Sequence, residues 1–422
     1  VSTHGPHDQA VLRHGWGRAV VTAVAGLIAM GVVAALGLWA AGASALPDGA
    51  FPRVVAATVV TAVGGTVEIS GDAGGLAGTR ADLTVMPLSV TLVGALVVGA
   101  GFLRPLRRRA VASGAELAGW AARIAVVWLL GLLGAALAAH RTFALRLGDD
   151  TLNDLGELFG VSPTAGFTTD VPLTLVSGAV WLAAVFVAAL LVSPSAPLPA
   201  RLLRLQASVR PVAHAMLVLL LVCVALGVVV ALVVAATRGR PAETFAVVLL
   251  GMPNLVWPVF TIGLGATWNG QVEGPFALPM PHVLDEVLRG PDTVRLNLST
   301  LAEHDGRVWW LVVVDAVLVP AAAFLAAAHS SPRTRPRWHA VRTAAALVLT
   351  VVMICLTGRI SAHYGLSVLG LGDLGGELSG RLILRPVVWS ALGAAALWGL
   401  VAGFVGGVAA GAVRRRSGTR TL

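Results

Sequence analysis

The sequence predicts an all-α polytopic membrane protein: about eight transmembrane helices in two parallel four-helix repeats, with two candidate re-entrant segments and small external loops. Three observations predict it. Of the 422 residues, 57% are hydrophobic and only 12% are charged, whereas a soluble domain carries roughly 25% charged residues. The apolar residues come in runs long enough to cross a hydrocarbon core about 30 Å thick, which needs about 20 residues of helix. The arginines fall in short clusters between alternate runs, where the positive-inside rule places them.

Eight runs meet or approach spanning length: 19–42, 84–103, 115–139, 171–193, 210–236, 308–328, 338–358 and 386–412. Ala43-Ser44-Ala45 after the first run has the form of a signal-peptidase site. The run is about twice the length of a signal h-region of roughly 7–15 residues, so it is expected to stay as a span. Two further stretches are ambiguous. Residues 54–66 are short, and 242–267 are interrupted by Gly251, Pro253 and Pro258. Interior proline removes a backbone bond and kinks a helix. Irregular backbone is tolerated at membrane depth only where protein buries it, so both stretches are read as re-entrant candidates.

Charge decides between a dip and a crossing. With eight crossings, one face collects 17 arginines against two acids, Asp8 and Glu116, while the other collects 12 arginines and 18 acids. A crossing at 242–267 would carry the acidic segment 268–307 to the basic face and Arg333, Arg335 and Arg337 to the other. The expected location is therefore the plasma membrane, multi-pass, with both termini cytoplasmic. The formal net charge of +9 is a topology signal on this reading, not a nucleic-acid-binding one. The expected partner is the lipid bilayer, without nucleic acid, and a protein partner or homo-oligomer is left open. Cys223 and Cys355 lie inside apolar runs and imply no disulfide framework.

The two halves, 1–200 and 201–422, read alike: span, ambiguous stretch, polar loop, span, arginine cluster, span, acidic loop, span. Asp154-Leu155-Gly156-Glu157-Leu158-Phe159-Gly160 resembles Asp373-Leu374-Gly375-Gly376-Glu377-Leu378-Ser379-Gly380, and Gly65-Thr66-Val67-Glu68 loosely matches Gly265-Ala266-Thr267-Trp268. Four spans per half make the repeats parallel, related by an axis along the membrane normal. Residues 67–71 and 81–86 alternate in the manner of a small hairpin joined through Gly71–Gly78.

Candidate site residues follow from chemistry that apolar surroundings make conspicuous. Asp315 stands alone in the apolar run 308–328, and an acid within the bilayer is a functional candidate by default. It either binds a proton or cation, or makes a structural hydrogen bond across helices, or is a shallow acid served by water. Arg123 lies inside the third run; it either snorkels to the interface on its long stem or pairs with Asp315. Pro253 and Pro258 mark the broken segment. Glu68, Asp72, Asp154, Glu157, Asp373 and Glu377, set among glycines on external loops, are candidate oxygen ligands for a cationic solute, against the plainer reading of solvated loop acids. Gly399, Gly403, Gly407 and Gly411 are spaced four apart and form one helix stripe where a second backbone can approach closely, within the chain or between copies. No Walker A, His-Glu-x-x-His or Gly-x-Ser-x-Gly string occurs, so the sequence points to no catalytic residue, metal or cofactor.

Gly64-Gly65-Thr66-Val67-Glu68-Ile69-Ser70-Gly71-Asp72 and Met86-Pro87-Leu88-Ser89-Val90-Thr91-Leu92-Val93-Gly94-Ala95 resemble the streptophobe family, multi-span membrane proteins of actinobacteria. The resemblance implies the architecture and transfers no activity or ligand residue. The functional expectation is a transporter-like or permease-like protein for a small solute or ion, resting on the repeats, the broken stretches and Asp315. The alternative is a non-transporting membrane scaffold or envelope sensor that meets a partner through its external loops. A polar cavity reaching Asp315 favours the first; a close-packed interior favours the second.

Overall fold

The computed structural model describes residues 6–46, 49–72, 77–106, 114–139, 141–144, 164–193, 200–273, 288, 293–331, 334–368 and 380–418. The chain is an all-α polytopic membrane protein carrying a β-sheet on one face. Its helices are α1 Pro6–Ala40, α2 Ala50–Ala62, α3 Leu88–Leu106, α4 Gly114–Ala139, α5 Val171–Val192, α6 Ala200–Arg238, α7 Pro241–Gly263, α8 Leu298–His304, α9 Trp310–Ala328, α10 Pro336–Thr357 and α11 Val388–Gly418. The strands are β1 Val67–Asp72, β2 Ala77–Thr84, β3 Arg141–Ala144, β4 Thr164–Thr169, β5 Trp268–Glu273, β6 Val294–Leu296, β7 Ile360–Val368 and β8 Gly380–Pro386.

Local chemistry sets the helix ends. Asp170 caps α5 by accepting from Leu173 N at 3.0 Å, with Pro172 in the first turn, where its missing N–H is not needed. Prolines also open α7 and α10. Asn297 and Thr300 form a capping box on α8. Gly64 and Gly265 take left-handed backbone, φ 87° and 101°, and stop α2 and α7 alike. Gly64 N donates to Thr61 O and Gly65 N to Val60 O; Gly265 N donates to Ile262 O and Ala266 N to Thr261 O. These paired bonds satisfy the last carbonyls of each helix.

The sheet sets the topology. Its order is β3-β4-β1-β2-β7-β8-β5-β6, antiparallel at all seven pairings. The expected hairpin is present as β1–β2, with Val67 opposite Leu83. It is one quarter of a larger structure, because four of the loops on that face contribute two strands each. The first four strands run 3-4-1-2 and the last four 7-8-5-6, the same internal order.

Nine described helices are long and apolar enough to cross a bilayer: α1, α3–α7 and α9–α11. The strands reduce the crossings to eight. Strand pairs follow α2, α4, α7 and α10, so those helices end on the sheet face, and α3, α5, α9 and α11 leave from it. Gln206, near the start of α6, donates to Leu190 O and Ser193 O at the far end of α5. His214 on α6 lies 6.4 Å from His329 at the far end of α9. Helix α6 thus climbs toward the sheet, and α7 both begins and ends on that face. Helix α1 also climbs toward it, with Thr22 against Gly101 and Met30 against Gly94, so α2 likewise starts and finishes there. The two ambiguous stretches are α2 and α7, and neither crosses.

Two hydrophobic cores form, one from α1–α5 and one from α6–α11 with Leu88 of α3. The outward faces of the spans keep large apolar residues exposed, such as Leu130, Val180 and Leu349, as lipid-facing helices do. The glycine stripe packs within the chain. Added Cβ atoms at Gly399 and Gly403 would run into the α10 backbone at Ala344 and Ala340, and one at Gly407 would approach Pro336. Gly411 has nothing within 4 Å and is outside that contact.

Candidate functional site

The broken helix α7 brings the unusual residues together. Pro253 and Pro258 each remove an N–H, and the backbone at Gly251 leaves helical geometry, φ −136° and ψ 18°. A break in an apolar setting leaves backbone groups that must find partners. The start of α3 supplies them. Ser89 Oγ donates to Val248 O at 2.8 Å and accepts from Met252 N at 3.1 Å. Those two groups are four residues apart and would bond each other in an unbroken helix, so the Ser89 hydroxyl is a splint across the gap. Asn254 completes the clamp, accepting from Leu88 N at 2.9 Å and donating to Met86 O at 2.8 Å.

Past the break, α7 turns to the second core. Thr261 donates to Pro258 O and accepts from Trp268 Nε1, both at 2.8 Å. Gly358, at the end of α10, leaves room for the Trp268 ring and Pro258. Trp398 of α11 donates to Leu264 O at 3.0 Å. Pro253 and Pro258 are both buried.

Asp315 lies one turn and a half into α9, 3% exposed. Its Oδ2 is buried without a hydrogen-bond partner and points at Gly263, the last residue of α7, with Leu311 O beside it. Any side chain at 263 would meet this carboxyl oxygen, which is why glycine ends the helix here. Cys223 of α6 is within electrostatic reach of Asp315 and is buried. A carboxyl oxygen facing the carbonyl end of a helix sees negative charge rather than positive. The site therefore has the polarity of a cation or proton site and not of an anion site.

The other candidates are dispersed. Arg123 does not join Asp315. Its guanidinium lies against Gly15, with Nη1 3.5 Å from where a Cβ would stand, near the start of α1 on the face opposite the sheet, so it snorkels. Glu68 and Asp72 lie on β1, opposite Asp82 and Gly78. Asp154, Glu157, Asp373 and Glu377 lie outside the described residues. Among the described residues no group of three or more His, Cys, Asp and Glu side chains converges on a metal position. Two hollows among the described residues open at α10, and Asp315 lines neither.

Sequence reasoning missed Ser89, Asn254, Thr261 and Gly263. Asn254 carried a signal, as a polar residue between two prolines of an apolar run. Ser89 carried none, because a serine near a span end is ordinary. Comparison with known protein families, curated proteins and solved structures returned no match.

Proposed function

We propose that this chain is a plasma-membrane protein with both termini in the cytoplasm, working as a non-transporting scaffold or envelope sensor that presents its sheet to a partner outside. The orientation rests on the charge order of the sequence, which assigns 17 arginines to the side that also holds both termini. One observation carries the function: four separate loops join in one eight-stranded sheet above an interior in which Asp315 is 3% exposed and packed against Gly263. A permease needs a wet path to its midplane site. The outermost strands, β3 and β6, each have one side unpaired among the described residues, which suits recognition by strand addition.

A second reading is favoured by the unpartnered Oδ2 of Asp315: a transporter-like or permease-like protein in which this oxygen meets a small cation or proton. The two readings part at Cys223, buried on α6 within electrostatic reach of Asp315. In a Cys355→Ser background reconstituted in liposomes, a small water-soluble thiol reagent should leave Cys223 unmodified for hours and modify it after SDS unfolding, as read by intact mass. Rapid modification of the folded protein would sink the scaffold reading and put the permease first.

Duplication and family form part of the same proposal. The shared internal strand order and the matching glycine stops at Gly64 and Gly265 support two parallel repeats, 1–200 and 201–422. An experimental structure whose halves superpose only after inversion would refute this. The streptophobe resemblance rests on residues that include Met86, Leu88 and Ser89, three of the groups that hold α7.

A further inference from the structure

Helix α10 starts on the face opposite the sheet, and two adjoining hollows open there. The first, about 340 Å³, is lined by Thr334, Arg335, Arg337, Trp338 and Arg342. The second, about 510 Å³, is an apolar groove between α10 and α11, lined by Val341, Leu400, Val401, Phe404 and Val405 with Ala340 at its floor and Arg337 at its mouth. Arg337 belongs to both, so the two form one continuous feature with a cationic end and an apolar end.

We infer that this feature binds one anionic phospholipid, its phosphate among the three arginines and an acyl chain along the groove. Charge supports the headgroup. Arg335, Arg337 and Arg342 have no hydrogen bond or ion pair from their side chains among the described residues, and Arg335 has no capping bond to make at the start of α10. Three unneutralised guanidiniums attract a phosphate, and arginine's fork matches its oxygens. The positive end of the α10 dipole adds to the attraction. A zwitterionic headgroup brings its own cation into the same field and loses much of it. Position supports the chain. The groove lies on spanning segments of α10 and α11, its side chains are exposed, and it runs away from the arginines into the depth where acyl chains lie. Trp338, exposed at the junction, sits where interfacial tryptophans sit. Basic pockets between spans on the cytoplasmic side are the general form of such sites.

The inference is independent of whether the protein transports. Its test is native mass spectrometry of the delipidated full chain, titrated with phosphatidylglycerol or phosphatidylcholine of identical acyl chains. The wild type should retain one phosphatidylglycerol in preference to phosphatidylcholine. Arg335→Gln/Arg337→Gln/Arg342→Gln should lose that preference, roughly a hundredfold for three surface charges. Val401→Trp, which fills the groove and leaves the arginines, should weaken retention of both lipids. Arg335, Arg337 and Val401 are exposed and Arg342 is half-buried, so the variants are expected to fold, which circular dichroism of each checks. Equal retention of the two lipids by the wild type overturns the inference. So does displacement of phosphatidylglycerol by glycerol phosphate at equal concentration, which would mean an anion site with no role for the groove.

Discussion

Ser89→Ala removes the splint across the break in α7. Two backbone groups lose their partner at once, Val248 O and Met252 N. Ser89 is 8% exposed and Met252 4%, so Met252 N is shut off from water without local opening, while Val248 is half-buried. Leaving a buried polar group unsatisfied costs about 1–3 kcal/mol; Met252 N bears this in full and the half-buried Val248 O in part, for a loss of roughly 2–4 kcal/mol. At 1.4 kcal/mol per tenfold, the lower figure alone raises the open population about thirtyfold. The assay is amide hydrogen exchange in nanodiscs, followed on peptides covering 248–256. Those peptides should exchange about thirtyfold faster or more in Ser89→Ala. Ser177→Ala is the control, since its hydroxyl donates only to Thr174 O within its own helix, and should leave the 248–256 peptides unchanged. Unaltered exchange in Ser89→Ala would refute the splint, and with it the account of how a twice-proline-broken segment survives in an apolar interior.

Two further predictions test the packing and the path of the chain. Gly403→Ala drives a methyl into the α10 backbone near Ala340 and His339, at 2.8 Å, and should lower stability by roughly 1–3 kcal/mol; Gly411→Ala, with nothing within 4 Å, should be neutral. Equal SDS-unfolding midpoints for the two would show that the stripe does not pack as described. Cysteines at 240 and 273 flank α7 and should both react with an impermeant thiol reagent from outside the cell, while one at 335 should react only after permeabilisation. Labelling of 273 from the cytoplasmic side alone would make α7 a ninth crossing.

The spans and the two dips were legible because their cause is local. Apolar run length, prolines at 253 and 258, and arginine placement are properties of short windows, and they lead to eight crossings although nine helices qualify by length. The sheet was legible only where it is local. Strands β1 and β2 lie four residues apart in the chain, and their alternation reads as a hairpin. Strands β2 and β7 pair through Leu83 and Ala362, residues from opposite halves, and no window contains both. Segment 360–368 does alternate in its first residues, but an alternating segment gives no address for its partner. The same limit applies at the site. Asp315 stood out as the sole acid of its run, whereas its contact with Gly263 joins two helices that the strand β5, the strand β6 and α8 separate in the chain. Arg123 stood out equally, and its direction came only with α1 packed beside it.

Helix α7 also bears on which function the architecture allows. Alternating access in repeat-built transporters is largely the rocking of one repeat against the other around a central site. Here the first stretch of α7 is bonded to the start of α3 through Ser89 and Asn254 and packs Leu250 against Gly37 of α1. Its last stretch is seated in the second core, with Trp257 donating to Leu220 O of α6 and Gly263 against Asp315 of α9. One helix is therefore fixed to both halves, and the paired strands β2 and β7 join them again over eight residue pairs. Rocking would have to break buried and part-buried hydrogen bonds on α7 and strip a strand pair in the same movement. Such a joint holds the halves as one body. A rigid body that carries a broad sheet on its outer face suits a protein that presents a surface better than one that moves a solute, and it leaves Asp315 as the group whose behaviour in the Cys223 experiment decides the matter.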